Sequence, residues 1–421
     1  MKAVILAAGE GLRLRPFTYT CPKHLIPVGG KPILEHLLTA LRDAGLREAL
    51  IIVHHKADMI KDHFGDGSKL GMEIEYAIQP KILGTADAAR IAEGYIKDDF
   101  LMVYGDLLIT SDVAKKVLGV YQKTRPSATM SVVSVEHPEN YGVVSIEGDQ
   151  VVDIVEKPSP DAASNRPVNA GIYIFSKEIF RAIDRTGKSQ RGEREITDSI
   201  HLLIDKRRSV TVVEIPPDQW LDIGRPWDLL EANIRVLNRM EPWIKGLVED
   251  GVHLIGSVSV HEGARIRSGA YIEGPVYIDE GSDVGPNCHI RPCTTLGKNV
   301  RIGNACEIKN SIVMDGTHIA HLSYIGDSVI GKNCNLGAGT ITANLRLDSK
   351  TIKMSVKGET LDSGKRKLGA FIGDCVKTGI GAQVMPGIQI GSECCVGPNV
   401  IVDQDIQPNT SLVSKQSLVK R

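Results

Sequence analysis

Aromatic side chains are scarce in this chain, at 5 % of 421 residues, and no apolar run is long enough to span a bilayer. Net charge is almost absent: 50 Lys and Arg stand against 51 Asp and Glu. Without a basic stripe nothing points to nucleic acid, and without a long apolar stretch nothing points to a membrane. The eight cysteines form no C-x-x-C pair, which speaks against the commonest metal and redox motifs. What the chain has in excess is glycine, 42 residues, a composition suited to many tight turns and small interior positions. The start, MKAVILAAGEG, runs from one Lys through a short apolar stretch into a Gly-rich loop. It reads as a strand rather than a signal peptide, and a cytoplasmic location is expected.

The C-terminal half repeats every six residues. Aliphatics recur at Val260, Ile266, Ile272, Ile278, Val284, Ile290, Leu296, Ile302 and Ile308. They resume after a phase slip at Ile319, Ile325, Ile330 and Leu336, and again at Ile372, Val384, Ile390, Val396 and Val402. An α-helix needs a period near 3.6, so six does not fit it. One short strand and one turn per step, three steps per coil, give a left-handed parallel β-helix of hexapeptide repeats that is stable only by stacking. Cys288, Cys306, Cys334 and Cys394 each follow an aliphatic by four positions, the slot that Ala264, Ala270 and Ser282 fill elsewhere. They read as reduced packing thiols. The repeat breaks between about 343 and 369, a Lys- and Arg-rich stretch read as an extruded loop. Its cations could meet phosphates or simply be solvated.

The N-terminal half alternates strand-like and helical runs, as an α/β Rossmann-like domain does. AVILA, ALIIVH and FLMVYGD read as buried strands, and ILEHLLTALRDAG as an amphipathic helix ended by Gly45. A last helix is read over about 227–237, with MEPWIKGLVEDG joining the halves. The expected domains are 1–232, a linker helix 233–251, and the β-helix 252–421.

After the first strand, Gly9 and Gly11 let backbone N–H groups approach a phosphate. With Arg13, Lys23 and the later Gly-Gly-Lys-Pro, this spacing resembles the sugar-1-phosphate nucleotidylyltransferases that make dTDP-glucose and UDP-glucose. The resemblance runs through most of residues 1–232. It implies that Ala8, Gly9 and Gly11 meet the nucleotide, with Gln79, Gly84 and Thr85 of QPKILGTADA near the base. It implies Gly142 (NYGVV), Glu156 and Lys157 (VEKP) and Asn169 (NAGIY) around the sugar phosphate. Asp106 (VYGD) and Asp222 (WLDIG) would hold Mg2+, with Arg13 and Lys23 as the catalytic cations. In such a reaction a sugar phosphate oxygen attacks the α-phosphorus of UTP or dTTP and pyrophosphate leaves, so positioning and electrostatics do most of the work.

The stretch from Arg291 to Lys350 carries HLSY, NLGAGT and TAN, which repeat packing does not require. It resembles the acetyltransferase half of the bacterial bifunctional enzymes that make UDP-N-acetylglucosamine, which share this domain order. The resemblance implies His321 as general base, with Arg291, Lys309, Tyr324, Asn335 and Lys350 gripping an amino-sugar phosphate. It implies Ala338 and Asn344 beside acetyl-CoA. An imidazole titrates near neutral pH, which suits deprotonating an amine. His289 and His318 are read as structural. The pattern departs from those enzymes in three places. The insert after Asn344 is longer, which opens galactosamine-1-phosphate as acceptor. Their Gly-Ser near later coenzyme A contacts reads Gly373-Asp374. The first loop follows the dTDP-glucose type, which leaves UTP against dTTP, and glucose-1-phosphate, open. Cyclic symmetry about the helix axis predicts a homotrimer or a dimer of trimers. Two rival readings stand beside this one: a single-activity nucleotidylyltransferase with a structural or regulatory β-helix, and a non-enzymatic assembly subunit.

Overall fold

The computed structural model describes residues 1–163, 166–189, 191–415 and 417–418. By contacts the chain divides into two compact units, one of residues 1–10 and 33–222 and the other of residues 11–32 and 223–421.

The first unit is an α/β sheet of nine strands: β1 (Ala3–Ala7), β2 (Glu48–Val53), β3 (Glu73–Ile78), β4 (Phe100–Tyr104), β5 (Ala128–Val133), β6 (Gly142–Glu147), β7 (Gln150–Glu156), β8 (Val168–Phe175) and β9 (Val210–Glu214). They lie in the order β3-β2-β1-β4-β8-β5-β9-β7-β6. β3, β2, β1 and β4 are parallel, the half that the alternating pattern foretells. The apolar runs of β1, β2 and β4 are those of strands covered on both faces, while the edge strand β3, EIEYAI, is only partly buried. The other half is mixed. β8 runs antiparallel to both β4 and β5, and β7 runs antiparallel to β6. Only Gly148 and Asp149 join β6 to β7, too short a link for a crossover, so a hairpin results. The helix Ile33–Asp43 buries Ile33, Leu34, Leu37, Leu38 and Leu41, and Gly45 ends it with φ +98°, a conformation cheap only for glycine.

The second unit is a three-sided parallel β-helix, its faces sheets of nine, eight and seven short strands. Residues 18 apart stack: Ile266 on Val284, Ile272 on Ile290, Ile278 on Leu296. At the phase slip the step shortens, and Ile302 stacks on Ile319. The aliphatic columns form one buried core in which the four registered cysteines sit with Ala264 and Ala270. Each fully buried aliphatic contributes about 2 kcal/mol. Burial pushes the Cys288 and Cys334 thiols up to about 12, so they act as small apolar groups. The glycine after Ile302 is required by space, since a Cβ on Gly303 would stand 1.9 Å from the Ala320 carbonyl oxygen.

The last α-helix among the described residues is Asp228–Arg239, and the first coil begins soon after it. Ile244 bridges to Val260, and Leu247–Val248 pairs with Arg265–Ile266. The extruded stretch is more ordered than a plain loop. Lys353–Val356 and Glu359–Asp362 form an antiparallel hairpin whose two-residue turn, Lys357-Gly358, has positive φ at both positions. Ile352, Met354 and Val356 are buried, so alternate hairpin residues pack inward. Among the described residues no helix is long and apolar enough to cross a membrane.

Candidate active sites

In the α/β unit the parallel strands end at the candidate residues, the usual place for sites in such sheets. Ala8 follows β1 and is buried, while Gly9 is exposed. Asp106 follows β4, with Gly105 N–H donating to the Leu6 carbonyl at 2.9 Å. The short strand Leu107–Ile109 pairs antiparallel with Trp220–Asp222, and Asp222 lies opposite Leu107. That register sets Asp222 next to Asp106, although 116 positions separate them in the chain.

The sugar motifs converge through the same sheet. Gly142 pairs with Glu156, and Val143 with Val168 beside Asn169. A Cβ on Gly142 would stand 2.8 Å from Glu156 Oε2, so the glycine lets that carboxylate lie against the strand. Asn169 contacts the Tyr173 hydroxyl, which meets Tyr104 at 3.1 Å. Trp220 closes the group. Its indole N–H donates to Ala170 O at 2.8 Å and its ring packs edge-on against Tyr141. Lys157 takes φ +45°. Burial raises the Glu156 carboxyl above its usual range, partly offset by Lys157 and by Arg191 at 3.6 Å. Glu195, which the sequence reading missed, is buried beside the same Arg191 at 3.1 Å, and its carboxyl is raised by burial too. No spacing marks it; it is a single acid in a charged stretch.

Gln79 is buried and inward-turned. Its amide donates to Asp87 at 2.8 Å and toward the Gly84 carbonyl at 3.4 Å. Gly84 has no room for a side chain, since a Cβ would meet the Arg194 carbonyl oxygen at 2.3 Å. Thr85 Oγ1 accepts from the Ile196 N–H at 2.9 Å. These bonds shape the loop from within.

The segment Gly11–Pro32 belongs to the second unit. Gly11 has φ +69°, and a Cβ there would stand 3.1 Å from Lys23 Cβ, so the glycine brings the loop onto the lysine's stem. Arg13 lies exposed against Gly224, two residues beyond Asp222, with 3.0 Å between a guanidinium nitrogen and a Cβ built there.

On the β-helix one face gathers four of the expected residues. Arg291 pairs with Glu307 at 2.8 Å, and Glu307 lies in register with Tyr324. Lys309 contacts the nearly buried Asp327 at 3.2 Å. Asn344 donates to the Tyr324 hydroxyl at 3.0 Å and contacts Asp327 as well. Asn344 therefore sits among the groups expected around the amino-sugar phosphate. Glu307 and Asp327 were not foreseen, yet they lie 16 and 18 residues after Arg291 and Lys309, one coil apart, which is the signal that would have found them. His321 ends the neighbouring strand His318–His321, at the corner that turns into Tyr324, with its ring exposed. Its carbonyl accepts from Ser323 Oγ and from Gly339 N–H at 2.7 and 3.2 Å, fixing the corner. Asn335 pairs with His318, and Ala338 lies in the next turn, bonded through its carbonyl to Gly381 N–H. Lys350 is exposed, near the start of the extruded stretch, and its N–H donates to Asp348 at 3.2 Å. His289 Nε2 meets Glu273 Oε2 at 2.7 Å, one coil away.

A nucleotidyl transferase family model matches residues 2–239. The GMPPB C-terminal domain matches 272–366, and six bacterial transferase hexapeptides match 369–404. Over 422 residues the chain is 43 % identical to the bifunctional protein GlmU of Methanocaldococcus jannaschii, covering 100 % of this chain and 99 % of that one. The chain belongs to the bifunctional GlmU family. A GlmU of Methanococcus maripaludis is 44 % identical over 420 residues, spanning 100 % of this chain and 98 % of the relative. A bifunctional sugar-1-phosphate nucleotidylyltransferase/acetyltransferase of Sulfurisphaera tokodaii is 41 % identical, covering 96 % and 98 %. Among solved structures, one from Bacillus anthracis assigned as a glucose-1-phosphate thymidylyltransferase matches 58 % of this chain and 98 % of its own, with 31 % identity and TM-score 0.52. The GlmU relatives match the whole chain, and the solved structure matches part of it.

Proposed function

We propose that the chain is a bifunctional enzyme of UDP-N-acetylglucosamine synthesis. It acetylates glucosamine-1-phosphate, or galactosamine-1-phosphate, with acetyl-CoA, and it transfers UMP or dTMP from UTP or dTTP to a sugar-1-phosphate. The observation that carries this reading is the presence, in one chain of GlmU length, of the Asp106–Asp222 register and the His321 corner beside its cation cluster.

On the β-helix, Arg291 and Lys309 draw the phosphate of the amino sugar, with Glu307 and Asp327 holding the cations in place. Tyr324, Asn335 and Asn344 orient the sugar, Lys350 adds charge from the extruded stretch, and Ala338 flanks the pantetheine arm. His321 takes the proton from the amine as its nitrogen bonds to the thioester carbonyl carbon. The carbon–sulfur bond breaks and the coenzyme A thiolate leaves, to be protonated. The match to a GMPPB domain would suit a β-helix with no chemistry of its own, and the His321, Tyr324 and Asn344 set favours the two-activity reading over it.

In nucleotidyl transfer, the Ala8–Gly11 backbone meets the phosphates, and Gln79, Gly84 and Thr85 frame the base. Glu156 and Asn169 meet sugar hydroxyls, Gly142 leaves room for the ring, and Lys157 meets the sugar phosphate. A sugar phosphate oxygen bonds to the α-phosphorus while the bond to the bridging oxygen breaks. Arg13 and Lys23 offset the charge that gathers on pyrophosphate. Asp106 and Asp222 suit Mg2+. They are hard oxygen donors in adjacent register, and no group of three or more ligating side chains occurs among the described residues. Phosphate oxygens and waters would complete such a site, as Mg2+ prefers. When bound, the ion supplies charge neutralisation between the two anions. The β-helix supports a homotrimer or dimer of trimers as the assembly.

Two assays test the whole. Thiol release from acetyl-CoA with each amino-sugar phosphate should require His321. Pyrophosphate release with UTP or dTTP and each sugar-1-phosphate should require Asp106. A wild-type chain with no thiol release would leave the single-activity reading, and a chain with neither activity the assembly reading.

A further inference from the structure

Gln79 is held by both its backbone and its side chain. Its N–H donates to the Val53 carbonyl at 2.8 Å, and its carbonyl oxygen meets His54 Nδ1 at 2.6 Å. A carbonyl can only accept, so Nδ1 carries the hydrogen of that bond. The residue is 1 % exposed, and its amide nitrogen faces Asp87 Oδ2 at 2.8 Å and the Gly84 carbonyl at 3.4 Å. Both of those groups are acceptors. The NH2 end of the amide must therefore point at them, and the oxygen is the end left to meet a ligand.

Asp87 is placed by contacts of its own helix, Thr85–Ile91. At the start of that helix Thr85 Oγ1 accepts from the Ile196 N–H, and the Ala86 N–H donates to the Arg194 carbonyl, both at 2.9 Å. Ala86, Ala88 and Ala89 supply its buried face, so packing does not ask for a carboxylate at 87. Orientation matters because an amide has one donating end and one accepting end, and half a turn exchanges them. Uracil and thymine present a ring N–H between two carbonyls. Cytosine presents a bare ring nitrogen beside an amino group. An oxygen fixed in place accepts from the first kind of edge and sets its lone pair against the ring nitrogen of the second.

We propose that Asp87 is a positioning residue that fixes the Gln79 amide with its oxygen toward the base, so that the nucleotide site takes uracil or thymine and turns away cytosine. This deepens the nucleotidyl-transfer reading and rests on its placing of Gln79 near the base. The test is calorimetric binding of UTP and of CTP, each with Mg2+ and without sugar phosphate, to the full chain. Wild type should bind UTP about 30-fold more tightly than CTP, the ratio that one misplaced buried hydrogen bond supplies. Asp87→Asn keeps the size but can donate as well as accept, so both orientations of Gln79 are allowed and the ratio should fall to about threefold or less. Gln79→Ala should lose the ratio as well, and adding Asp87→Asn to it should change the ratio no further, since Asp87 acts through that amide. A role in folding alone would weaken both nucleotides alike and leave the ratio intact. Equal binding of UTP and CTP by wild type, an unchanged ratio in Asp87→Asn, or a further shift in the double variant would each overturn the proposal. If the ratio behaves as expected but wild type releases no pyrophosphate with any sugar-1-phosphate, nucleotidyl transfer fails and the role of Asp87 stands.

Discussion

The two units assemble their candidate sites by opposite routes. In the β-helix, neighbours in space are one coil apart in the chain, so Arg291 meets Glu307, Lys309 meets Asp327 and Glu307 meets Tyr324 within 16 to 18 residues. In the α/β unit the partners follow no fixed offset. Asp106 is brought beside Asp222 by a two-strand pairing, and Gly142, Glu156 and Asn169 meet through a hairpin and a crossing strand. A repeat makes a site arithmetical, because a residue's neighbours can be counted off at fixed offsets. A sheet makes it topological, because its neighbours depend on a strand order that no local rule dictates.

The sharpest way to break this comparison is to silence each unit alone. His321→Ala removes the base for the amine and should lower thiol release by about 10³-fold. Asp106→Asn removes one of two hard anionic donors and should lower pyrophosphate release by about 10³-fold. Each variant should keep the other activity within about twofold. A crossed result, with His321→Ala slowing pyrophosphate release as much as thiol release, would mean that the two sets do not serve separate reactions.

Stability should divide along the same line. A β-helix coil is buried only by its neighbours, so a cavity in one coil loosens that coil first. Ile302→Ala empties a fully buried position and should cost about 3 kcal/mol. In a urea series, thiol release should fail at a lower concentration in this variant, while pyrophosphate release keeps its wild-type midpoint. Coincident midpoints would show that the chain unfolds as a single cooperative block.

A smaller effect sharpens the arithmetic of the β-helix site. Asp327 is nearly buried and is shared by Lys309, Asn310 and Asn344. Asp327→Asn leaves Lys309 without its carboxylate, and KM for the amino-sugar phosphate should rise about tenfold. A change confined to kcat would place Asp327 nearer the thioester than this geometry does.

How much of this was legible follows from the same contrast. The six-residue period gave the β-helix and its cysteine slots, while Arg291, Lys309, Tyr324 and Asn344 on its face came from the resemblance to the acetyltransferases. It did not give Glu307 or Asp327, because a lone acid on a polar edge resembles any solvated charge until the offset to a cation is counted. The hairpin at Lys353–Asp362 was hidden by reading its cations rather than its alternation, although Lys357-Gly358 is a turn dipeptide. In the α/β half the parallel strands β1, β2 and β4 were visible as apolar runs, and the motifs named several residues that the sheet brings together. The antiparallel half of the sheet was not visible, since β6 and β7 are only half apolar and their pairing is set by a two-residue turn. Nor did any local pattern show that contacts group Gly11–Pro32 with the β-helix, because such contacts are long-range by nature.

The smallest expected effect sets a buried carboxylate of the α/β unit against an ion-paired one of the β-helix. Burial raises the Glu195 carboxyl above the ordinary carboxylate range, against the opposing pull of Arg191. The folded chain therefore holds that proton more tightly than the unfolded chain. Its contribution to stability is complete below the unfolded pKa and is lost as pH rises through the folded one. Glu195→Gln keeps the shape and removes the charge, so its melting temperature relative to wild type should climb as pH goes from 4 to 8, by about 2 °C. In the β-helix, Asp283 is held below the ordinary range, chiefly by its hydrogen bond with Arg267, so the sign reverses. Asp283→Asn should lose ground to wild type as pH rises from below the lowered pKa to above the ordinary one. If the two differences ran in the same direction, the contrast between a buried sheet-side carboxylate and an ion-paired coil carboxylate would not hold.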